Sequence, residues 1–121
     1  MKNWWKYSGI LLMITAVFHC AMSFVKYRDS FVEILHMGIF NSVKGSYSHL
    51  AAFWFLICGI MLFAMGHTLH FYIKKEQKPL PLFFGYYLLI ISAFGIILAP
   101  VSGFWLIVPQ ALIIIFAKQR K

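Results

Sequence analysis

The sequence predicts an all-α membrane protein: a four-helix up-down-up-down bundle with a short interfacial helix in its first outer loop. Three observations point there. The 121 residues are 62% hydrophobic and 12% charged, with a mean hydropathy of +0.81, whereas a soluble domain is about half apolar and a quarter charged. Residues 8–25, 50–73 and 82–117 contain no Asp, Glu, Lys or Arg. The Lys and Arg residues that remain gather between these stretches, and on one side.

The first stretch, 8–25, is long enough to cross a hydrocarbon core of about 30 Å at about 1.5 Å per helical residue. Lys2 and Lys6 precede it, as in a signal peptide. However, its apolar run exceeds the usual ~7–15 residues and no small-x-small cleavage site follows. "AVFH" before Cys20 also lacks the small residue of a lipid-attachment box. The segment is therefore read as a retained helix.

In the outer loop that follows, "SFVEILHMGIF" predicts a short helix over 31–40. Ser30 and Glu33 have the spacing of a capping box, in which hydroxyl and carboxylate each satisfy a free backbone N–H. Phe31, Ile34, Leu35 and Ile39 form its apolar face. About 10 residues cannot span, so this helix should lie in the interface with Phe31 and Leu35 turned down.

The second spanning helix is expected over 50–73. The inner loop "KKEQKPLP" is turned by Pro79 and Pro81 and holds no phosphate-binding or nucleophile motif. The long third stretch breaks at "APVSG", where Pro100 and Gly103 divide it into spans 82–99 and 101–117. Pro109 leaves the Trp105 carbonyl without an intrahelical partner, which predicts a kink in the last helix. Small residues recur every seven positions in the first three spans: Gly9, Ala16 and Ser23; Ala52, Gly59 and Gly66; Gly85, Ser92 and Ala99. Seven residues are about two turns, so each set lines one face, and in lipid such faces let helix backbones approach.

Charge sets the orientation. With the N-terminus inside, Lys2, Lys6, Lys74, Lys75, Lys78, Lys118, Arg120 and Lys121 lie on the inner side, against Lys26, Arg28 and Lys44 outside. That asymmetry predicts both termini in the cytoplasm. The net charge of +8 then faces anionic inner-leaflet lipid rather than nucleic acid. Cys20 and Cys58 belong to no CxxC and read as small apolar core residues.

The candidate functional residue is His19. It lies three residues after Ala16 and four before Ser23, so it shares the small-residue face and should look into the bundle, roughly 9 Å below the outer boundary. An intramembrane imidazole is a functional candidate, the alternative being a ring packed and hydrogen-bonded inside the bundle. On the same count Trp54 and Trp105 are about 6 Å deep and Gln110 about 13 Å. A half-membrane pocket walled by the two indoles, with His19 and Gln110 as polar points, follows from those depths. The competing reading makes each Trp an interfacial belt anchor.

No metal is expected. The alternative metal set is Glu33, His36 and His49, with Asp29 nearby. His19 is about 9 Å deeper than His49, too far for one zinc with ligands at ~2.1 Å. His67 and His70, near the inner end, suit headgroup contact rather than a bis-histidine haem. No span contains a carboxylate, which removes the usual charge partner of coupled transport. No Ser-His-Asp grouping shares a depth, and no nucleotide motif is present.

"AAFWFLICG" and "PVSGFWL", together with a histidine in the first helix, resemble small four-helix bacterial integral membrane proteins grouped as a domain-of-unknown-function family. The resemblance covers nearly the whole chain. Its matching positions are His19, Phe53, Trp54, Gly59, Pro100, Ser102, Gly103 and Trp105, and it implies a bacterial inner membrane but carries over no activity. The combined expectation is a single-domain multi-pass protein of the bacterial plasma membrane. It would bind a small lipophilic ligand, or a membrane protein or peptide, through His19, Trp54, Ser102, Trp105 and Gln110, in a protective or accessory role without catalysis or cofactor. The alternative is a small quinone- or haem-linked redox protein in which His19 bonds a quinone carbonyl. A homodimer is compatible with either.

Overall fold

A computed structural model describes residues 3–117; the inner-side charges Lys2, Lys118, Arg120 and Lys121 lie outside them. The described residues form five α-helices and two short 3-10 turns: α1 Ser8–Lys26, α2 Arg28–Met37, α3 Tyr47–Glu76, α4 Leu82–Leu98 and α5 Ile107–Ile115, with the 3-10 turns Trp4–Tyr7 and Gly103–Leu106 preceding α1 and α5.

α1 and α3 form one antiparallel pair, α4 and α5 another, and the pairs meet mainly where α1 crosses α5. The small-residue faces make the first pair possible. Gly9, Ala16 and Ser23 are buried against buried Ala52, Gly59 and Gly66. A Cβ on Gly9 would stand 2.4 Å from the His70 backbone nitrogen and 2.7 Å from the Gly66 carbonyl oxygen, so the backbones touch there. Gly85, Ser92 and Gly95 are buried likewise on α4, whereas Ala99, the third member of its set, falls past the helix end and is exposed. Ile73, Leu80, Leu88, Ile107, Ala111 and Ile114 close a core joining α3, α4 and α5.

Helix lengths depart from four equal spans. Two helical segments are long and apolar enough to cross a membrane: Trp4–Lys26, 23 residues, and Tyr47–Glu76, 30 residues. Only 28% and 22% of their apolar windows are buried, unlike the core helix of a soluble protein. α4 has 17 residues, roughly 26 Å. The expected fourth span, 101–117, is not one continuous α-helix. The chain runs as a 3-10 turn to Leu106, and α5 has only nine residues. Pro109 explains this: it sits in the first turn of α5, where its missing N–H would be unpaired anyway, so it begins a helix rather than kinking one.

The loop helix is also displaced from 31–40. α2 starts at Arg28, separated from α1 by Tyr27 alone, whose carbonyl accepts the Phe31 N–H. No side chain caps it. Ser30 and Glu33 do not form the expected box because both are engaged elsewhere: the Ser30 hydroxyl meets the Ser48 hydroxyl, and Glu33 reaches His49. Phe31 packs on Phe24 with ring centroids 5.0 Å apart, while Leu35 is exposed. Gly38, at φ 82°, ends the helix.

Candidate functional site

His19 is held by α3. Its Nε2 lies 2.9 Å from the Phe55 carbonyl oxygen, and its ring stacks on the Phe55 ring at 4.1 Å and 9° between planes. A carbonyl only accepts, so Nε2 carries the hydrogen of this bond. Gly59, one turn along α3, gives the ring room: a Cβ there would stand 3.1 Å from His19 Cδ2 and 2.5 Å from Cys20 Sγ. Phe55 also packs against Tyr27 at 5.5 Å. The Lys26 ammonium lies 5.6 Å from the Tyr27 ring and 5.8 Å from the Phe55 ring, a cation–aromatic stack that ends α1. The imidazole therefore does turn toward a neighbouring helix, with its N–H already committed. A quinone carbonyl would have to displace that of Phe55.

The two indoles do not join it. Trp54 is 54% exposed and packs edge-on against Phe53. Adjacent helical residues point about 100° apart, so the face that gives Phe55 to His19 turns Trp54 outward. Trp105 is 56% exposed, and its indole N–H donates to the Pro100 carbonyl at 2.9 Å, stapling the turn before α5. Among the described residues neither indole is turned against His19. Two open hollows lie elsewhere, one lined by Ile90, Phe94, Leu98 and Phe104, the other by Ile10, Ile14, Val17 and Phe63. Ser102 stands at the start of the same turn, its hydroxyl buried without a partner.

Gln110 does face inward. It is 6% exposed, and its Nε2 contacts Thr15 Oγ1 at 2.6 Å and the Leu106 carbonyl at 3.0 Å. Thr15 donates its own hydrogen to the Leu11 carbonyl, so both partners of Gln110 are acceptors. That fixes the amide orientation and leaves Oε1 as the buried atom without a partner. This tie joins α1 to α5.

The start of α3 carries a second constellation. His49, in the first turn of α3 ahead of the charge-free 50–73 stretch, is 4% exposed. Its Nε2 lies 2.7 Å from Glu33 Oε2 and its Nδ1 3.2 Å from the Ser42 carbonyl. Both partners accept, so the two bonds together require a doubly protonated ring. Glu33, and then the Ser42 carbonyl, raise the affinity of His49 for its second proton above the ordinary value, against a smaller desolvation effect. The Ser46 hydroxyl caps α3 on the His49 N–H. Of the alternative metal set, Glu33 and His49 meet each other, whereas His36 is exposed on α2. Among the described residues no three of His, Cys, Asp and Glu come together.

Sequence reasoning missed Phe55, Thr15, Ser42 and Ser46. Ser46 three residues before His49 is a legible cap pattern. Phe55 and Thr15 carry no local signal, because their roles depend on which helix lies opposite. Toward the C-terminal end of α3, His67 is exposed, and the His70 backbone lies against Gly9 while its Nδ1 is buried without a partner.

No curated protein and no solved structure matches the chain. Residues 3–121 match the family described as "Family of unknown function (DUF6463)", and the chain belongs to that family.

Proposed function

With that membership as premise, and no activity attached to it, we propose that this is a multi-pass protein of the bacterial plasma membrane. In this reading it has both termini in the cytoplasm and acts by binding rather than by catalysis. One observation carries the proposal: the polarity of the fold is inverted. Ser8, Ser23, Ser92 and Gln110 are buried, while Val17, Phe18, Phe63, Phe94, Ile97 and Leu98 are exposed. In water monomers rarely expose contiguous apolar patches larger than a few hundred Å². In lipid it is the solvated surface, and small residues and side-chain hydrogen bonds hold the interior.

Within that frame the outer half holds a lipophilic molecule or a membrane partner at the level of His19, the imidazole within the charge-free stretch of α1. In this reading the binding serves a protective or accessory role.

The test has two arms. Lys44→Cys and Lys75→Cys, in a background with Cys20 and Cys58 replaced by Ala, are labelled with a membrane-impermeant maleimide in intact cells. Lys44→Cys labels directly and Lys75→Cys only after permeabilisation; the reverse pattern refutes the orientation. Mass spectrometry then compares lipophiles and proteins copurifying with wild type and with His19→Phe, which keeps a ring to stack on Phe55. A wild-type companion that is lost from the variant supports the site, and identical profiles refute it.

A further inference from the structure

Two hydrogen-bond acceptors stand unused, Gln110 Oε1 between α1 and α5 and His19 Nδ1 on the part of α1 that packs against α3. Gln110 Oε1 is buried without a partner, and the amide cannot be turned over because Nε2 is required by Thr15 Oγ1 and the Leu106 carbonyl, both acceptors. His19 stands four residues, one turn or about 6 Å, outward from Thr15 on α1. Its Nε2–H is taken by the Phe55 carbonyl. Its Nδ1 makes no hydrogen bond and is not among the atoms sealed from the surface. In the ring tautomer that the Phe55 bond selects, Nδ1 accepts. An acceptor left unpaired in an apolar interior is costly, and what satisfies it must bring a proton.

We propose that α1, one turn outward from the Thr15–Gln110 tie, takes the hydroxyl of a lipophilic alcohol or phenol, which donates to His19 Nδ1, the one of these two acceptors that reaches the surface. This rests on the binding reading above and names the ligand class of that site. It also separates reduced from oxidised ligands of otherwise equal shape. A hydroquinone can donate here, whereas a quinone carbonyl meets only acceptors.

Detergent-solubilised full-length protein is titrated with para-octylphenol and with para-octylanisole, the methyl ether that lacks the hydroxyl proton. The His19 imidazole nitrogen resonances are followed by NMR. The phenol is expected to bind saturably, to shift the Nδ1 resonance and to bind about tenfold more tightly than the ether, the worth of one hydrogen bond in an apolar site. His19→Phe, checked for unchanged helical circular dichroism, should bring the two affinities closer together. Equal affinities in wild type overturn the donor requirement while leaving the binding reading intact. Failure of both probes to saturate, with no lipophile copurifying, overturns both. A Nδ1 resonance that ignores saturating phenol overturns the assignment of His19 as the acceptor. The comparison between the two probes in wild type stands even if a variant does not fold.

Discussion

Gly9→Ala tests the contact on which the first helical pair depends. The added Cβ would meet the His70 nitrogen at 2.4 Å, the Gly66 oxygen at 2.7 Å and the His70 Cα at 2.7 Å. Ordinary van der Waals contact begins at 3.4 Å, so the helices must part by about 1 Å at this crossing. All three atoms are backbone, and none can rotate aside. A radial gap of about 0.5–1 Å forfeits a quarter to a half of each dispersion contact beside it. Overpacking of this kind costs about 1–3 kcal/mol, and the backbone-to-backbone geometry argues for the upper end. Alanine's better helix propensity returns about 1 kcal/mol. The expected net loss is about 2 kcal/mol, roughly thirtyfold in the unfolding equilibrium. Reversible unfolding in mixed micelles with rising SDS, followed by circular dichroism, measures it. Gly103→Ala is the control, because nothing lies within 4 Å of a Cβ there. If Gly9→Ala unfolds no earlier than Gly103→Ala, the close approach of α1 and α3 is wrong.

Two further outcomes follow from the hydrogen bonds. Because the folded protein raises the proton affinity of His49 above its value of 6.5, the clasp between α2 and α3 is fully formed below about pH 6.5 and loosens as pH rises through the folded value. Amide exchange in α2, corrected for intrinsic rate, should therefore accelerate on the alkaline side, and Glu33→Gln should flatten that dependence; a flat wild-type profile up to about pH 9 would discard the clasp. Thr15→Val removes the acceptor for Gln110 Nε2 across α1 and α5 and should cost about 0.6 kcal/mol, at most about 1.7, in the same SDS assay. Adding Gln110→Leu should then cost less than it does alone, and strict additivity would mean the pair is not coupled.

The helical class, the two longest helices and the faces they present were legible along the chain, because each is a matter of local composition and period. Charge-free runs of sufficient length become apolar helices whatever lies beside them. A seven-residue recurrence of small side chains marks the face that can meet another backbone, and Gly9, Ala16, Ser23, Ala52, Gly59 and Gly66 all lie there. His19 turned inward for the same reason.

What meets that face is a different kind of fact. Trp54 and Trp105 share a depth with His19 by counting along helices, yet depth says nothing of azimuth, and both indoles point outward. Ser30 and Glu33 fit a cap by spacing, but Ser48 and His49 arrive from a distant turn to claim them. Pro109 predicted a break inside a helix, and the 3-10 turn before it converts that break into a beginning. Local sequence therefore determined that the chain is helical and which sides of its two longest helices are smooth. Only tertiary structure decided that His19 answers Phe55 and Gln110 answers Thr15, because a hydrogen bond or ring stack requires two directed groups to coincide in space, and no periodicity along one chain encodes where the other will stand.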